Sequence, residues 1–206
     1  KSAHTRDEKC TRPAHEYLGG GYFNQSNYGR ASRIHWARRR CERVRGCPNK
    51  ERVAAVDAIK IITTEDGSHS LLNETLDETY HSRHGAKQES EYVFIDKGLD
   101  FFCKRNNPES VSVLEIGFGT GLNALLTAQK SIADQIDITY TSLETDPVPP
   151  EIWKTLNYSL NDLLFENIHN ASWNQWVSLS PTFKLFKNQI SIQQVVFSDD
   201  EFDIIY

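Results

Sequence analysis

Three glycines at alternate positions, Gly117, Gly119 and Gly121, are the residues whose type and spacing point most directly to chemistry. They follow the apolar run 111–116, which contains the acidic residue Glu115, and they precede an apolar segment with helical spacing. This order predicts a strand, a tight turn and a helix. Glycine suits such a turn because the chain reverses sharply and a ligand can approach a backbone without Cβ atoms. The stretch therefore predicts a nucleotide-cofactor turn.

The spacing of the glycines distinguishes between cofactors. A dinucleotide turn of the GxGxxG kind requires a third glycine at the position of Leu122, so a nicotinamide-dependent oxidoreductase is disfavoured. The pattern Glu115-x-Gly117-x-Gly119-x-Gly121 instead resembles the first motif of class I S-adenosylmethionine (SAM) methyltransferases. In that family the acidic residue lies near the ammonium end of the methionine moiety of the cofactor. A glycine-rich structural turn is the alternative interpretation.

A second acidic residue, Glu144, follows the predicted strand 138–143 and comes 23 residues after Gly121. Nucleotide folds place an acidic residue at a separation of about 20, where it accepts hydrogen bonds from ribose hydroxyls. A carboxylate suits a ribose diol because it only accepts hydrogen bonds and can take both hydroxyl donors. The predicted cofactor-binding residues are Glu115, Gly117, Phe118, Gly119, Thr120, Gly121, Asn123 and Glu144.

The polar segment 73–86 carries more hydrogen-bond donors than a plain connector needs. Among them, His81, Arg83 and His84 could bind a polar substrate or a phosphate group. A solvated loop is the alternative interpretation, and the residues alone do not decide between the two.

The elements that must position these residues alternate in type along the chain. The pattern predicts a β-hairpin over 58–72, an amphipathic helix over 89–103, and a helix from Leu122 toward Ile132. Strand and helix alternate from Val111 onward, which predicts an open, mostly parallel sheet with its ligand beyond the carboxyl ends of the strands. A helical stretch is predicted from Glu151. Further strands are predicted at 138–143, 182–186, 190–197 and 202–206.

Charge divides the 206-residue chain into two parts, although the net charge is only −5. Residues 1–53 carry 13 Lys and Arg against 5 Asp and Glu, a balance of +8, and residues 54–206 carry −13. A basic arm can indicate nucleic-acid contact. Residues 1–53 show no helical or strand periodicity, so we interpret them as a disordered or non-native extension. Residues 54–206 are expected to form the folded domain.

The four cysteines have neither CxxC spacing nor the density of a disulfide scaffold, so a reducing cytoplasm is expected. A zinc site is the alternative to unpaired thiols, and its ligands would be Cys10, His35, Cys41 and Cys47. No apolar run approaches the roughly 20 residues that span a bilayer, so no membrane partner is expected.

Residues 58–206 resemble the bacterial tRNA-modifying methyltransferases of the MnmC/MnmD type. These enzymes complete 5-methylaminomethyl-2-thiouridine at the wobble position of the anticodon. The resemblance rests on three segments in the family's order. The first is Asn73-Glu74-x-x-Asp77-Glu78-Thr79-Tyr80-His81-Ser82-Arg83-His84-Gly85-Ala86 with Glu89-Ser90 and Val93-Phe94-Ile95. The second is Leu114-Glu115-Ile116-Gly117-Phe118-Gly119-Thr120-Gly121-Leu122-Asn123, and the third is Phe202-Asp203-Ile204-Ile205-Tyr206.

The resemblance implies a fold, a reaction and a set of substrate residues. The fold would be a Rossmann-like class I SAM methyltransferase with a small N-terminal β-hairpin and helix. The reaction would transfer a methyl group from SAM to the exocyclic amine of 5-aminomethyl-2-thiouridine in tRNA. No metal would be needed. The substrate residues implied by the first segment are Tyr80, His81, Ser82, Arg83 and His84.

The resemblance also implies residues that this sequence does not contain. In the family, an Asp-Ala-Phe-like motif after the last strand supplies the group that orients the amine, and here its Asp would come just beyond Tyr206. We therefore expect a C-terminally truncated domain that keeps the SAM half-site. A flavin-dependent oxidase is sometimes fused downstream or acts separately. The alternatives are a SAM methyltransferase for a small molecule or protein, and an inactive SAM-binding remnant.

Overall fold

The computed structural model describes residues 58–158 and 163–206. The basic segment 1–53 and its four candidate zinc ligands lie outside these ranges, so the predicted boundary at residue 54 stays a prediction. Within the described ranges, no helix is both long enough and apolar enough to cross a membrane.

Strands and helices follow one another along the described ranges. The strands are β1 (Ile59–Thr63), β2 (His69–Asn73), β3 (Glu78–Thr79), β4 (Ser110–Ile116), β5 (Asp137–Leu143), β6 (Trp176–Ser178), β7 (Phe183–Asn188) and β8 (Ile204–Ile205). The helices are α1 (86–106, in the stretches Ala86–Ser90, Glu91–Asp100 and Phe101–Asn106), α2 (Leu122–Asp134), α3 (Pro150–Trp153) and α4 (Leu163–Asn170).

The predicted N-terminal hairpin is confirmed, and it carries one strand more than the sequence predicted. Strands β1 and β2 pair antiparallel with Ile61 opposite Leu71, and β3 adds to the far edge of β2. Strand β3 lies in the segment 73–86, whose polar composition hid it. Leu71 of the central strand is fully buried, so the hairpin packs one face onto the main core.

The hairpin turn fastens the start of helix α1. Three side chains of the turn, Thr64, Asp66 and Ser68, accept hydrogen bonds from the backbone N–H groups of residues 86–88. These donors have no partner inside the helix, so the turn acts as its N-terminal cap. Gly85 allows this contact, because a Cβ at that residue would lie 2.6 Å from the Asp66 carboxylate.

Helix α1 is confirmed, with a wider middle than the sequence predicted. Its stretch Glu91–Asp100 adopts π-helical hydrogen bonding, and α-helical turns lie on either side. Gly98 lies in this wide stretch, where a Cβ would be 3.5 Å from both the Val93 carbonyl and the Tyr206 ring. Asn107 ends the helix in the left-handed conformation, with a φ of 43°.

The main sheet is open and mostly parallel, as predicted. Its strand order is β6-β7-β5-β4-β8, in which β4, β5, β7 and β8 are parallel and the edge strand β6 is antiparallel to β7. Apolar residues alternate along the strands and therefore point to the same face of the sheet. This face is buried in the core that the strands share with the helices. The most buried of these residues are Val111, Val113, Ile138, Tyr140, Phe183 and Leu185.

Two predicted elements differ from the structure. The strand predicted over 190–197 is wrong: this segment forms a short 3-10 turn at Ile192–Gln194, and Val196 is almost fully exposed. Strand β7 pairs instead with β5 and with β6, so no neighbouring position is left for the segment. The helical stretch predicted from Glu151 is limited to α3, and α4 follows after residues 159–162, which lie outside the described ranges.

The carboxyl ends of β4, β5 and β7 meet at one edge of the sheet. The register pairs Ile116 with Leu143, and Leu143 with Asn188, so these three strands end level with one another. The N–H group of Glu144 donates to the Asn188 carbonyl at 3.0 Å, which joins two of the chain segments that leave the sheet there. Side chains just beyond these strand ends therefore lie close together.

We expect the substitution Asp66→Asn to lower the free energy of unfolding at pH 7 by about 1 kcal/mol. The substitution removes a charged hydrogen-bond acceptor at the start of α1, and the loss is modest because Asp66 is exposed. Partial burial acts to raise the pKa of Asp66, but hydrogen bonds from Ser68, Thr64 and Gln88 outweigh it and hold the pKa well below its usual range. The contribution is therefore present above the unfolded-chain pKa of about 3.9 and is lost as the pH falls below it.

Urea unfolding of the wild type and the variant between pH 3 and pH 7 measures this difference. The control is Glu65→Gln, which removes the charge of the neighbouring carboxylate. The ion pair between Glu65 and His84 is exposed, so its loss should change the stability little. A difference between wild type and Asp66→Asn that stays constant down to pH 3 would contradict the assigned role of the carboxylate.

Candidate functional site

The glycine turn joins β4 to α2 and uses the left-handed backbone conformation three times. The φ angles are 95° at Gly117, 52° at Gly119 and 73° at Gly121. A Cβ at Gly119 would lie 3.2 Å from the Tyr80 ring, and one at Gly121 would lie 2.9 Å from the His169 ring. A Cβ at Gly117 would meet no atom within 4 Å. A ligand can therefore approach the turn at Gly117, whereas the other two glycines are covered by side chains of the protein.

The backbone donors of the turn are largely used within the protein. The N–H groups of Gly117 and Phe118 donate to the Leu143 carbonyl, and that of Gly121 donates to the Phe118 carbonyl. The N–H group of Gly119 donates to Glu144 Oε2 at 3.0 Å. These hydrogen bonds fasten the turn to the end of β5.

Glu144 is almost fully buried, at 3% exposed, and accepts hydrogen bonds with both carboxylate oxygens. Besides the bond from Gly119, its Oε1 accepts from the backbone N–H of Asp146 at 2.9 Å. A carboxylate has about four acceptor positions and only accepts hydrogen bonds. Glu144 therefore braces the turn and lies where the sequence predicted it, at the end of the strand next to β4.

Glu115 lies inside the sheet and Asn123 lies at the start of helix α2. Glu115 is 2% exposed, and its Oε2 accepts a hydrogen bond from Ser142 Oγ at 2.7 Å across the β4–β5 pair. Burial and, to a smaller extent, the charge of Glu115 raise the pKa of the Tyr206 phenol. The side-chain oxygen of Asn123 is buried and has no hydrogen-bond partner among the described residues. The side-chain oxygen of Asn123 therefore offers a hydrogen-bond acceptor in the first turn of α2, two residues after Gly121.

The five predicted substrate residues divide into two groups. Tyr80 packs on Gly119, and Nε2 of His81 lies 2.7 Å from the Thr120 hydroxyl, so both reach the turn. The other three lie toward the hairpin. The backbone N–H of Ser82 donates to Glu89, His84 forms an exposed ion pair with Glu65, and Arg83 is exposed.

A cavity of about 190 Å³ opens beside the turn. Its walls are mainly aromatic rings and prolines, with one cation. They are formed by Phe118, Pro147, Val148, Pro149, Pro150, Trp153, His169, Trp173 and Lys187. Phe118, which was predicted to bind the cofactor, contacts the rings of His169 and Trp173 edge-on, at centroid distances of 5.3 Å and 5.9 Å. The predicted cofactor turn therefore forms one wall of this cavity.

Lys187 is a buried cation that the sequence analysis did not identify. It is 1% exposed, and its Nζ donates to the carbonyls of Ile168 and His169 at the C-terminal end of α4. Its Nζ also lies over the rings of Trp173 and Phe118, at 4.7 Å and 5.1 Å from their centroids. Burial lowers the pKa of Lys187 to about 8 and that of His169 to about 3, so His169 is neutral near pH 7.

Lys187 could have been identified in the sequence as a candidate site residue from its position. It lies at the carboxyl end of β7, beside the strand that leads into Glu144. His169 carried no comparable signal. It is a histidine in a helical segment, and it contacts the glycine turn only because of where α4 packs in the fold.

The substitution Lys187→Met tests the buried charge through its pH dependence. The unfolded chain holds its lysine protons up to a pKa of about 10.4, whereas the folded pKa is about 8, so the cost of burying the charge is fully present below pH 8. The cost falls as the pH rises toward 10. We expect the free energy of unfolding of the wild type, relative to the variant, to rise by about 2 kcal/mol between pH 7.5 and pH 10.

Urea unfolding at several pH values in this range measures the difference. Lys184→Met is the matched control, because Lys184 is on the same strand and is exposed. Equal pH profiles for the two variants would show that Lys187 is not buried as a cation.

Comparisons with known proteins bear on the family resemblance. No protein-family model matches the chain. The tRNA 5-methylaminomethyl-2-thiouridine biosynthesis bifunctional protein MnmC of Paraburkholderia phymatum is 32% identical over 129 residues, which are 60% of this chain and 20% of that protein. The protein of the same name from Leptospira interrogans is 33% identical over 85 residues, which are 39% of this chain and 13% of that protein.

Among solved structures, MNMC2 from Aquifex aeolicus matches with a TM-score of 0.48 and 18% identity, over 76% of this chain and 55% of that one. The chain spans about a fifth of the length of the first MnmC protein that it matches. The sequence comparisons thus confirm the similarity to MnmC proteins that the three motif segments predicted, over 60% of this chain.

Proposed function

We propose that this chain provides the cofactor-binding part of a SAM-dependent methyltransferase that modifies the wobble uridine of tRNA. The observation that supports this most is the shape of the glycine turn. It lies at the carboxyl end of β4, it is braced by an acidic residue at the end of β5, and it is open to a ligand at Gly117. In open α/β sheets, ligands bind in this place, beyond the carboxyl ends of adjacent strands.

Two features of the site suit SAM. The open side of Gly117 leaves space for a ligand that contacts the backbone, and a side chain would fill that space. The buried oxygen of Asn123, which has no partner among the described residues, can accept a hydrogen bond from a donor on the ligand. Glu144 would accept hydrogen bonds from the ribose hydroxyls, because it is a carboxylate at the end of the strand next to β4. When bound, SAM supplies a methyl group on a positively charged sulfur.

The work left to the protein is mainly to position the two reactants. Methyl transfer requires the amine in its neutral form, in line with the methyl group, and correct placement removes much of the barrier. Among the predicted substrate residues, Tyr80 is the one that covers the glycine turn and is partly exposed, so we propose that it faces the acceptor nucleotide. An aromatic ring offers a base a surface for stacking.

The tRNA substrate is proposed from the similarity to MnmC proteins, whose names specify tRNA 5-methylaminomethyl-2-thiouridine biosynthesis. The acceptor would be the exocyclic amine of 5-aminomethyl-2-thiouridine, and the activity would be cytoplasmic. Those names also specify bifunctional proteins, and a flavin-dependent oxidase is the partner that we propose for the second activity.

A second candidate function is favoured by charge. Residues 54–206 carry a net charge of −13, which opposes the binding of a polyanion. A SAM methyltransferase that acts on an amine in a small molecule or a protein would not meet this repulsion. The two candidates share the cofactor site and differ in the acceptor.

The substitution Gly117→Ala tests the proposed cofactor site. We expect it to weaken SAM binding at least about tenfold, because the added methyl group occupies the open side of the turn. Gly67→Ala is a matched control: Gly67 also has a positive φ, 81°, and a Cβ there also meets no atom within 4 Å, but it lies in the β1–β2 turn. The two variants therefore carry similar backbone strain.

Isothermal titration calorimetry with SAM measures the affinities, and thermal unfolding checks that the two variants lose similar stability. Absence of SAM binding by the wild type would overturn the proposal. Equal affinities for Gly117→Ala and Gly67→Ala would show that the ligand binds elsewhere.

A methyl-transfer assay distinguishes the two candidate functions. With radiolabelled SAM, label that enters tRNA carrying 5-aminomethyl-2-thiouridine, and not the same tRNA with an unmodified uridine, would favour the tRNA candidate, because the proposed acceptor amine is present only in the modified nucleotide. Label that enters small amines or proteins, with none in the modified tRNA, would favour the second candidate.

A further inference from the structure

The side-chain hydroxyl and the backbone carbonyl of Thr120 in the glycine turn each contact a histidine that lies far away in the sequence. Thr120 is 1% exposed. Nε2 of His81 lies 2.7 Å from its hydroxyl, and Nε2 of His169 lies 3.1 Å from its backbone carbonyl. These histidines are 39 residues before and 49 residues after Thr120, so three separate segments of the chain meet at one residue of the turn.

The chemistry of the second contact defines the state of His169. A carbonyl oxygen only accepts hydrogen bonds, so Nε2 of His169 carries the proton and donates it to Thr120. Burial and, to a smaller extent, the charge of Lys187 lower the pKa of the imidazole, so the ring keeps one proton near pH 7. The ring is stacked on Trp153 at a centroid distance of 4.4 Å and an angle of 10°, which fixes its orientation.

His169 also determines why residue 121 is a glycine. A Cβ at Gly121 would lie 2.9 Å from Nε2 of His169 and 3.1 Å from the Phe118 ring. The imidazole can therefore lie against the turn only where no side chain is present. The close contact and the hydrogen bond to Thr120 come from the same ring, so His169 covers one end of the turn.

His81 connects the turn to the N-terminal hairpin. Its backbone N–H donates to Ser70 Oγ on β2 at 3.1 Å, the residue is 9% exposed, and its ring lies nearly perpendicular to the Tyr158 ring. The neighbouring Tyr80 packs on Gly119. A residue so buried, with one ring nitrogen directed at Thr120, is poorly placed to contact a substrate and well placed to hold the turn.

We propose that His81 and His169 are positioning residues that hold Thr120 and thereby keep the glycine turn in the shape that receives the cofactor. The inference rests on the proposed function and gives His81 a role other than substrate binding. The turn requires such support because its three glycines have the largest conformational freedom of any residue type. Hydrogen bonds at Thr120, between Gly119 and Gly121, restrict the most flexible part of the site.

The experiment compares two variants at each histidine. His169→Phe and His81→Phe keep an aromatic ring and remove the ring nitrogens, whereas His169→Gln and His81→Gln keep an amide that can replace Nε2. The control is Ile168→Val, which shortens a fully buried side chain in the same helix as His169 without removing a polar contact of the turn. Two quantities are measured: the hydrogen exchange of backbone amides in the peptide 117–123, and the affinity for S-adenosylhomocysteine.

We expect each Phe variant to speed exchange in the peptide 117–123 and to weaken binding of S-adenosylhomocysteine about tenfold, which is the loss expected when a buried polar group is left without its partner. The Gln variants should restore most of both quantities. Ile168→Val should lower the melting temperature and leave both quantities unchanged. If Ile168→Val changes turn exchange and affinity as much as the Phe variants do, the histidines act only through general stability and the inference is overturned.

The two readouts separate this inference from the proposed function. If the wild type does not bind S-adenosylhomocysteine, the proposed function fails, and turn exchange alone decides whether the histidines position the turn. If the wild type binds and the Phe variants bind equally well, the inference fails and the proposed function stands. If His169→Phe does not fold, His169→Leu replaces it, because it also removes both ring nitrogens. If His81→Phe does not fold, Thr120→Val and Thr120→Ser replace it: Val removes the hydroxyl that His81 contacts, and Ser keeps it. Faster turn exchange in Thr120→Val than in Thr120→Ser supports the inference, and equal exchange overturns it.

Discussion

The left-handed conformation of the glycine turn is the constraint on which the rest of the site depends. Strand β4 ends at Ile116 and helix α2 begins at Leu122, so five residues must reverse the chain. Three of them adopt positive φ angles, which only glycine accepts without strain. Such a turn has little intrinsic order. It keeps one shape because neighbouring segments bond to it, and the same shape leaves Gly117 open to a ligand.

The neighbouring segments that hold the turn come from every part of the described fold. Glu144 accepts a hydrogen bond from Gly119 at the end of β5, His169 of α4 donates to the Thr120 carbonyl, and the segment after β3 brings His81 to the Thr120 hydroxyl. The His81 contact is buried and the other two are partly buried, and a polar group left unpaired at such a place is costly. The segment between the hairpin and α1 therefore helps to hold the turn, and the Asp66 cap fastens the hairpin turn to the start of α1.

The parts of the site that are local in sequence could be predicted, and those that depend on distant contacts could not. Gly117 and Glu144 follow from spacing, because a turn and the next strand end lie at characteristic separations. His169 is brought to the turn by α4, and no local pattern marks it. Lys187 is marked by its position at the carboxyl end of β7, but its contacts with the turn depend on the fold. The false strand over 190–197 has strand-forming residues, but β5 and β6 already occupy both edges of β7. The sequence also predicted His81 as a substrate residue, whereas the structure buries it against Thr120.

We propose that a cofactor approaches the turn at Gly117, between the ends of β4 and β5. The most direct test is a crystal structure of the chain with S-adenosylhomocysteine. We expect the ligand to lie in van der Waals contact with Gly117 Cα and to form hydrogen bonds with the Glu144 carboxylate and the Asn123 side chain. A ligand that occupies another part of the molecule, or one that leaves Gly117 exposed to water, would contradict it.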